Sequence, residues 1–206
     1  MNTLSRMIRY AITDSSRSRD AATRRTELIA HARRWASQKI DFVQLREKTL
    51  EAGELLALAE AMLAIFREEG GHTKLLINTR ADIAIAAQAD GVHLTSQSEG
   101  LTPAQVRQLY AQATTLEPIV SMSCHSIAEV ERARSLSMDL ILFGPIFEKR
   151  VDGFVVAEGV GLDVLRLACT TASETPVIAL GGVTEENAAA CIEAGAAGMA
   201  GIRLFG

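Results

Sequence analysis

Eight short runs rich in aliphatic and β-branched residues recur along the chain: MIRYAIT, DFVQLR, KLLIN, DGVHL, PIVSMS, DLILFG, PVIALGG and GMAGIRL. Most are nearly continuous apolar stretches, the pattern of strands buried on both faces in a helix-covered parallel sheet. Helix signals lie between them. Thr102-Pro103-Ala104-Gln105 combines a hydroxyl cap, proline at the first helical position and glutamine at the third, and Ser126-Ile127-Ala128-Glu129 reads as a capping box. Thr49, Thr79 and Thr184 are expected caps for helices over 51–68, 81–88 and 185–194.

Strand and helix alternate with no Pro- or Gly-rich linker, low-complexity tract or charge block, which predicts one domain over residues 1–206. This is the pattern of an α/β protein, a TIM (β/α)8 barrel or a doubly wound sheet, and eight strands favour the barrel. The eighth run is followed directly by Phe205-Gly206, so the barrel is expected to lack the final helix. An apolar stripe beside strands one and eight would then be open, which predicts a homo-oligomer.

The chain has 206 residues and 48% hydrophobic content, enough for a sizeable core. No apolar run approaches the ~20 residues of a membrane span, and MNTLSRMIRY lacks the apolar stretch of a secretory signal, so a cytoplasmic protein is expected. Cys124, Cys169 and Cys191 are too widely spaced for a zinc site and too few for a disulfide framework. A net charge of −4 gives no electrostatic pull toward nucleic acid or an acidic membrane, and a small-molecule partner is left.

In such a barrel the chemistry sits where the apolar runs stop. Arg46 and Lys48 end the second run two positions apart, which on a strand places both cations on one face, suited to an anionic substrate. A solvated rim paired with Glu47, Glu51 or Glu54 is the competing reading. Asn78 ends the third run, His93 the fourth, His125 the fifth, Gly144 the sixth, Gly181-Gly182 the seventh, and Gly201 and Arg203 the eighth. Loops after strands seven and eight commonly cradle phosphate in this fold, though isolated glycine pairs are more often tight turns. His125 immediately precedes a helix, where the local field favours a neutral ring able to accept a proton. His93 reads instead as a barrel-interior residue with its hydrogen bonds satisfied, and no role is assigned to His31 or His72.

The segments YAITD, QLREK, LLIN, ADGVHL, CHS, FGPIF and VIALGG, followed by EAGAAGMAG, run in order from residue 10 to 201 and together resemble the thiamine phosphate synthase and TenI superfamily. The resemblance implies a TIM barrel and two candidate activities. Synthases join a hydroxymethylpyrimidine pyrophosphate to a thiazole phosphate with Mg²⁺, whereas TenI-type proteins isomerise a carboxythiazole phosphate to its aromatic form without a metal. Synthases carry aspartates where this chain has Thr79 and Ser98, and a Pro-Thr-x-Thr-Lys segment where it reads Glu148-Lys149-Arg150-Val151-Asp152. Neither hydroxyl replaces a carboxylate on a hard cation. Arg46, Lys48 and Asn78 match both branches, Gly144-Pro145 is synthase-like, and Arg203 stands where a small residue is usual.

The resemblance therefore implies a TenI-like thiazole tautomerase, an isomerase of thiamine biosynthesis that needs no cofactor. Its small phosphorylated thiazole substrate would lie with phosphate on Gly181, Gly182 and Gly201, assisted by Arg203, and with carboxylate facing Arg46 near Lys48. His125 is the expected general acid–base and Glu148 a second one, desolvated under a closing loop; a surface salt bridge with Lys149 or Arg150 is the alternative for Glu148. Two further readings stay open: a thiamine phosphate synthase, the case that would use Mg²⁺, and a non-catalytic protein that binds thiamine metabolites.

Overall fold

A computed structural model describes residues 7–15, 20–96, 100–151 and 154–205. Ten strands and seven helices follow in chain order: β1 (Ile8–Ile12), α1 (Ala21–Ser37), β2 (Phe42–Leu45), α2 (Ala52–Glu68), β3 (Lys74–Asn78), α3 (Ala81–Ala86), β4 (Gly91–Leu94), α4 (Pro103–Ala113), β5 (Ile119–Cys124), α5 (Ile127–Ser135), β6 (Leu140–Phe143), β7 (Lys149–Val151), β8 (Phe154–Ala157), α6 (Gly161–Ala172), β9 (Val177–Leu180), α7 (Ala188–Glu193) and β10 (Gly198–Gly201). Eight of the strands, all parallel, close in the order β1-β10-β9-β6-β5-β4-β3-β2, as the eight apolar runs predict. The other two, β7 and β8, form an antiparallel hairpin within the loop after β6.

Side chains alternate along each strand between two apolar layers. Tyr10, Ile12, Leu140, Leu142, Ile178 and Ala200 meet inside the barrel, while Ala11, Ile141, Phe143, Val177 and Ala179 join the larger layer under the helices. The interior is not wholly apolar, because Gln44, His93 and Ser121 are also buried, on strands β2, β4 and β5.

A repeated bond set pins the lower rim. Asp41 N–H donates to the Arg9 carbonyl (3.1 Å), and the Asp41 carboxylate accepts from Arg9 N–H (2.8 Å). Asp90 does the same with Leu75 (3.0 and 2.9 Å), and Asp139 with Val120 (2.9 and 2.7 Å). Each carboxylate also meets a basic side chain 3.0 Å away: His72, Lys74 and Arg107 respectively. At the fourth equivalent position Ala197 keeps the backbone bond, to the Val177 carbonyl at 2.8 Å, but brings no carboxylate.

The predicted caps divide in two. Thr102 forms its full capping box with Gln105. Ser126 accepts from Glu129 N–H, while the Glu129 carboxylate reaches past the cap to His125 N–H. Thr49, Thr79 and Thr184 do not cap: Glu51, Arg80 and Asn187 hold those positions without side-chain cap bonds, and α7 starts only at Ala188. Thr184 N–H instead donates to Asn187 Oδ1, closing a turn ahead of the helix.

Beyond β10 the chain turns back so that the Phe205 carbonyl accepts from Trp35 Nε1 at 2.8 Å. Beside it a cavity of about 550 Å³ lies against the outer wall, lined by residues of both kinds, including Met7, Met199 and Leu204 but also Arg9, Gln38 and Glu185. Where the apolar stripe is expected, the surface thus carries polar side chains as well as apolar ones. No helix among the described residues is long and apolar enough to cross a membrane.

Candidate active site at the barrel mouth

Because the eight barrel strands are parallel, their C-terminal ends share one mouth. Arg46 directly follows β2, Asn78 ends β3, His125 follows β5, Gly144 follows β6, Gly181 follows β9 and Gly201 ends β10. The topology thus brings together the candidates that the sequence leaves up to 155 positions apart (46 to 201).

The two cations of the second run are not equivalent. β2 stops at Leu45, so Arg46 and Lys48 lie beyond the strand, and strand alternation does not place them on one face. Arg46 is half-buried, its N–H donating to Thr13 Oγ1 at 2.8 Å, and Lys48 is exposed. The Arg46 charge is felt by His93 inside the barrel. Glu47, a proposed partner of this pair, is buried and turned to the β1 end, where its Oε2 accepts from Ser15 N–H (3.3 Å) and from the Ser15 hydroxyl.

Gln44 donates from Nε2 to Asn78 Oδ1 at 2.8 Å, fixing the Asn78 amide at the mouth. Gln44 Oε1 is buried with no hydrogen-bond partner among the described residues, an acceptor that an N–H donor on a bound molecule would satisfy. The signal for Gln44 was present in the sequence: it is a polar residue inside an apolar strand, one alternation below Arg46.

His125 is held from two sides. Its backbone N–H donates to Glu129, and its Nδ1 lies 2.5 Å from the Gly144 carbonyl oxygen. A carbonyl only accepts, so Nδ1 carries the hydrogen, and in the neutral ring Nε2 is left as the basic atom. Gly144 thereby acts through its carbonyl as the orienter of the histidine.

Gly181 and Gly182 adopt φ of +90° and +66°, which only glycine enters freely. A Cβ on Gly181 would strike Pro145 at 2.6 Å, and one on Gly182 would strike Phe147 at 2.7 Å. Their lack of side chains therefore makes room for the loop after β6, which is sewn to the turn by Ile146 N–H to the Leu180 carbonyl (2.9 Å) and Phe147 N–H to the Gly181 carbonyl (3.0 Å). The N–H groups of Gly182 and Val183 have no acceptor among the described residues and are available to an anion.

Glu148 is exposed, so the desolvation expected of it under a closed loop is not present. Arg203 is also exposed, in the turn that leads Leu204 and Phe205 to the outer wall, with no hydrogen bond or ion pair among the described residues. Thr79 adopts φ of +59°, an uncommon state for a β-branched residue, and its hydroxyl donates to the Asn78 carbonyl at 2.8 Å. Ser98 lies outside the described residues. Among the described residues there is no group of three His, Cys, Asp or Glu that could hold a metal ion, and Thr79, whose hydroxyl is already engaged, offers no carboxylate to Mg²⁺. The cysteines pack rather than react: burial pushes the Cys124 thiol up to about 12 and that of Cys169 to about 11.

The profile of the family described as thiamine monophosphate synthase, TMP-TENI, matches residues 9–205. A Geobacter sulfurreducens protein named putative thiamine-phosphate synthase is 42% identical over 159 residues, covering 77% of this chain and 70% of that one. The Aquifex aeolicus putative thiamine-phosphate synthase 2 is 35% identical over 196 residues, 95% of this chain and 96% of that one. The Chlorobium luteolum thiamine-phosphate synthase is 38% identical over 162 residues, 78% and 71% respectively. Among solved structures, the thiamine phosphate pyrophosphorylase of Pyrococcus furiosus superposes with a TM-score of 0.75 at 24% identity, covering 98% of this chain and 88% of that one, a likeness of fold. With the barrel, the mouth residues and these matches together, the chain belongs to the thiamine phosphate synthase/TenI superfamily of thiamine biosynthesis.

Proposed function

We propose that the chain aromatises a carboxylated thiazole phosphate by proton transfer. The observation that carries this reading is the bond between His125 Nδ1 and the Gly144 carbonyl, which leaves Nε2 free to take and return a proton. His125 would remove the hydrogen from the ring carbon bearing the carboxylate. The electron pair of that C–H bond would shift into the ring as the exocyclic double bond takes up a proton at its outer carbon, so atoms and charge balance. Positioned acid–base groups of this kind contribute ~10²–10⁴-fold in rate.

Arg46 would face the carboxylate, and the free N–H groups of Gly182 and Val183 would receive the phosphate beside Gly201. Asn78, fixed by Gln44, would line the same mouth, with Lys48, Arg203 and Glu148 at its exposed edge. The reaction is the one the resemblance to TenI-type proteins implies, and the mouth residues supply groups suited to it; one fold hosts several chemistries.

A second reading, the thiamine-phosphate synthase, is favoured by the names of the relatives and by one feature of the chain. The partnerless Gln44 Oε1 suits an N–H-bearing ring such as a pyrimidine. That reaction also requires charge on departing pyrophosphate to be offset, which Mg²⁺ supplies in the family, and Thr79 and Ser98 stand where the resemblance places two carboxylates for it.

Product analysis separates the two. Purified protein would be given carboxythiazole phosphate alone, and in parallel hydroxymethylpyrimidine pyrophosphate with thiazole phosphate, each with Mg²⁺ and with EDTA. Aromatised thiazole phosphate in both conditions supports the tautomerase. Thiamine phosphate formed only with Mg²⁺ supports the synthase and ends the first reading.

A further inference from the structure

A continuous hydrogen-bonded chain runs through the barrel interior to the mouth. Tyr10 Oη on β1 lies 3.3 Å from Ser121 Oγ on β5, Ser121 Oγ lies 2.8 Å from His93 Nδ1 on β4, and His93 Nε2 lies 2.8 Å from Ser123 Oγ. Tyr10 and Ser121 are fully buried and His93 is 2% exposed. Ser123, two positions along β5 from Ser121 and two before His125, is half-buried at the upper end.

The direction of the protons follows from the closed end. Among the described residues Tyr10 Oη has one partner, so its hydrogen must go to Ser121 or remain unpaired in the core, at the cost of a buried unsatisfied donor. Once Ser121 accepts from Tyr10, its own hydrogen is directed to His93 Nδ1. Nδ1 is then the lone-pair nitrogen, Nε2 carries the ring hydrogen, and Ser123 Oγ accepts it. The Ser123 hydrogen is left pointing at whatever occupies the mouth.

The ionisation states are compatible with this order. Burial pushes the Tyr10 hydroxyl well above its ordinary value, so it keeps its proton. Burial, and secondarily the Arg46 charge, push His93 down to about 3, so its ring is neutral. Phe42 stacks on the Tyr10 ring at 5.8 Å between centroids and holds the starting point in place.

We propose that Tyr10, Ser121 and His93 are positioning residues that order the protons of this chain and fix Ser123 as a hydrogen-bond donor to the substrate. The order of the chain stands on the protein's own contacts. Only the acceptor, the carboxylate or phosphate of a thiazole phosphate, rests on the proposed function.

The test reads the tautomer of His93 by ¹⁵N NMR of the imidazole in ligand-free protein. The Nε2–H form is expected in the wild type, and the Nδ1–H form would overturn the proposal. Tyr10→Phe removes one oxygen and is expected to release the preference, giving a mixed or reversed tautomer. Should that variant not fold, Ser121→Ala cuts the next link with the same expectation. Binding of carboxythiazole phosphate is expected to weaken by up to about tenfold in Tyr10→Phe and in Ser123→Ala, with no further loss in the double variant. Losses that simply add, or a Tyr10→Phe protein with unchanged tautomer and affinity, would refute the coupling. A wild type that does not bind this probe would refute the substrate assignment while leaving the tautomer result to decide the proton order.

Discussion

In the proposed reaction His125 and Arg46 would divide the work at the mouth, one moving a proton and the other holding charge. A charge-assisted hydrogen bond is worth about 1.5–3 kcal/mol, so Arg46→Ala should weaken carboxythiazole phosphate binding roughly ten- to a hundredfold. Arg46→Lys should recover only part of this, since a point charge replaces a two-pronged donor. Titration calorimetry on the two variants checks the ranking. His93 gives a second prediction at this scale, through pH. Its folded value of about 3 lies below the ordinary 6.5 because burial, first, and Arg46, second, disfavour the cation. As pH falls through about 6.5 the unfolded chain binds a proton that the folded chain refuses until about 3, so stability declines across that window and is fully present above it. Each pH unit within the window is worth at most about 1.4 kcal/mol. Urea titrations between pH 7 and 4 should show a shallower decline for His93→Gln than for the wild type, and equal slopes would contradict this assignment. Single residues were unevenly legible in the sequence. His125, Asn78 and Arg46 could be found because each sits where an apolar run stops. The buried contact of Glu47 with Ser15 and the Tyr10-to-Ser123 chain could not, because their partners meet only when distant strands close into a cylinder.

At the level of elements, the three aspartates at the lower rim act as fasteners between neighbouring strands, and the fourth position holds alanine. The Ala197 N–H already makes the bond to the Val177 carbonyl, so the backbone geometry for a carboxylate is in place. Ala197→Asp should raise stability by about 0.5–1.5 kcal/mol, the usual net value of one hydrogen bond. Asp90→Ala should lower it by about 1–3 kcal/mol by leaving Leu75 N–H without its acceptor. Thermal unfolding of both variants checks the pair of signs; an Ala197→Asp protein that melts earlier would show that the fourth site does not share the bond set. Sequence signals at this scale were reliable where they were local. Thr102 and Gln105 satisfy each other within one turn, so no tertiary contact could displace the motif. Thr79 and Thr184 are engaged in other local bonds and do not cap: the Thr79 hydroxyl donates to the Asn78 carbonyl, and the Thr184 N–H donates to Asn187 Oδ1. The hairpin β7–β8 also had a local signal in the sequence, the Asp152-Gly153 pair between its two strands.

Across the whole molecule, closure of the barrel turns eight separate strand ends into one site. The repeat of apolar runs restricted that architecture, since each strand needs cover on both faces, and the count of eight favoured the closed barrel over a doubly wound sheet. What the repeat could not convey is how the interior divides, with aliphatic layers built from β1, β6, β9 and β10 and a polar group spread over β2, β4 and β5. The central claim is that this polar mouth moves a proton through His125 and needs no metal to do so. It is tested most directly by following carboxythiazole phosphate by NMR in EDTA with wild type and His125→Ala. The account predicts aromatisation by the wild type, slowed ~10²–10⁴-fold in the variant while phosphate-ligand affinity is retained. No conversion by the wild type, alongside Mg²⁺-dependent pyrophosphate release that survives His125→Ala, would contradict it.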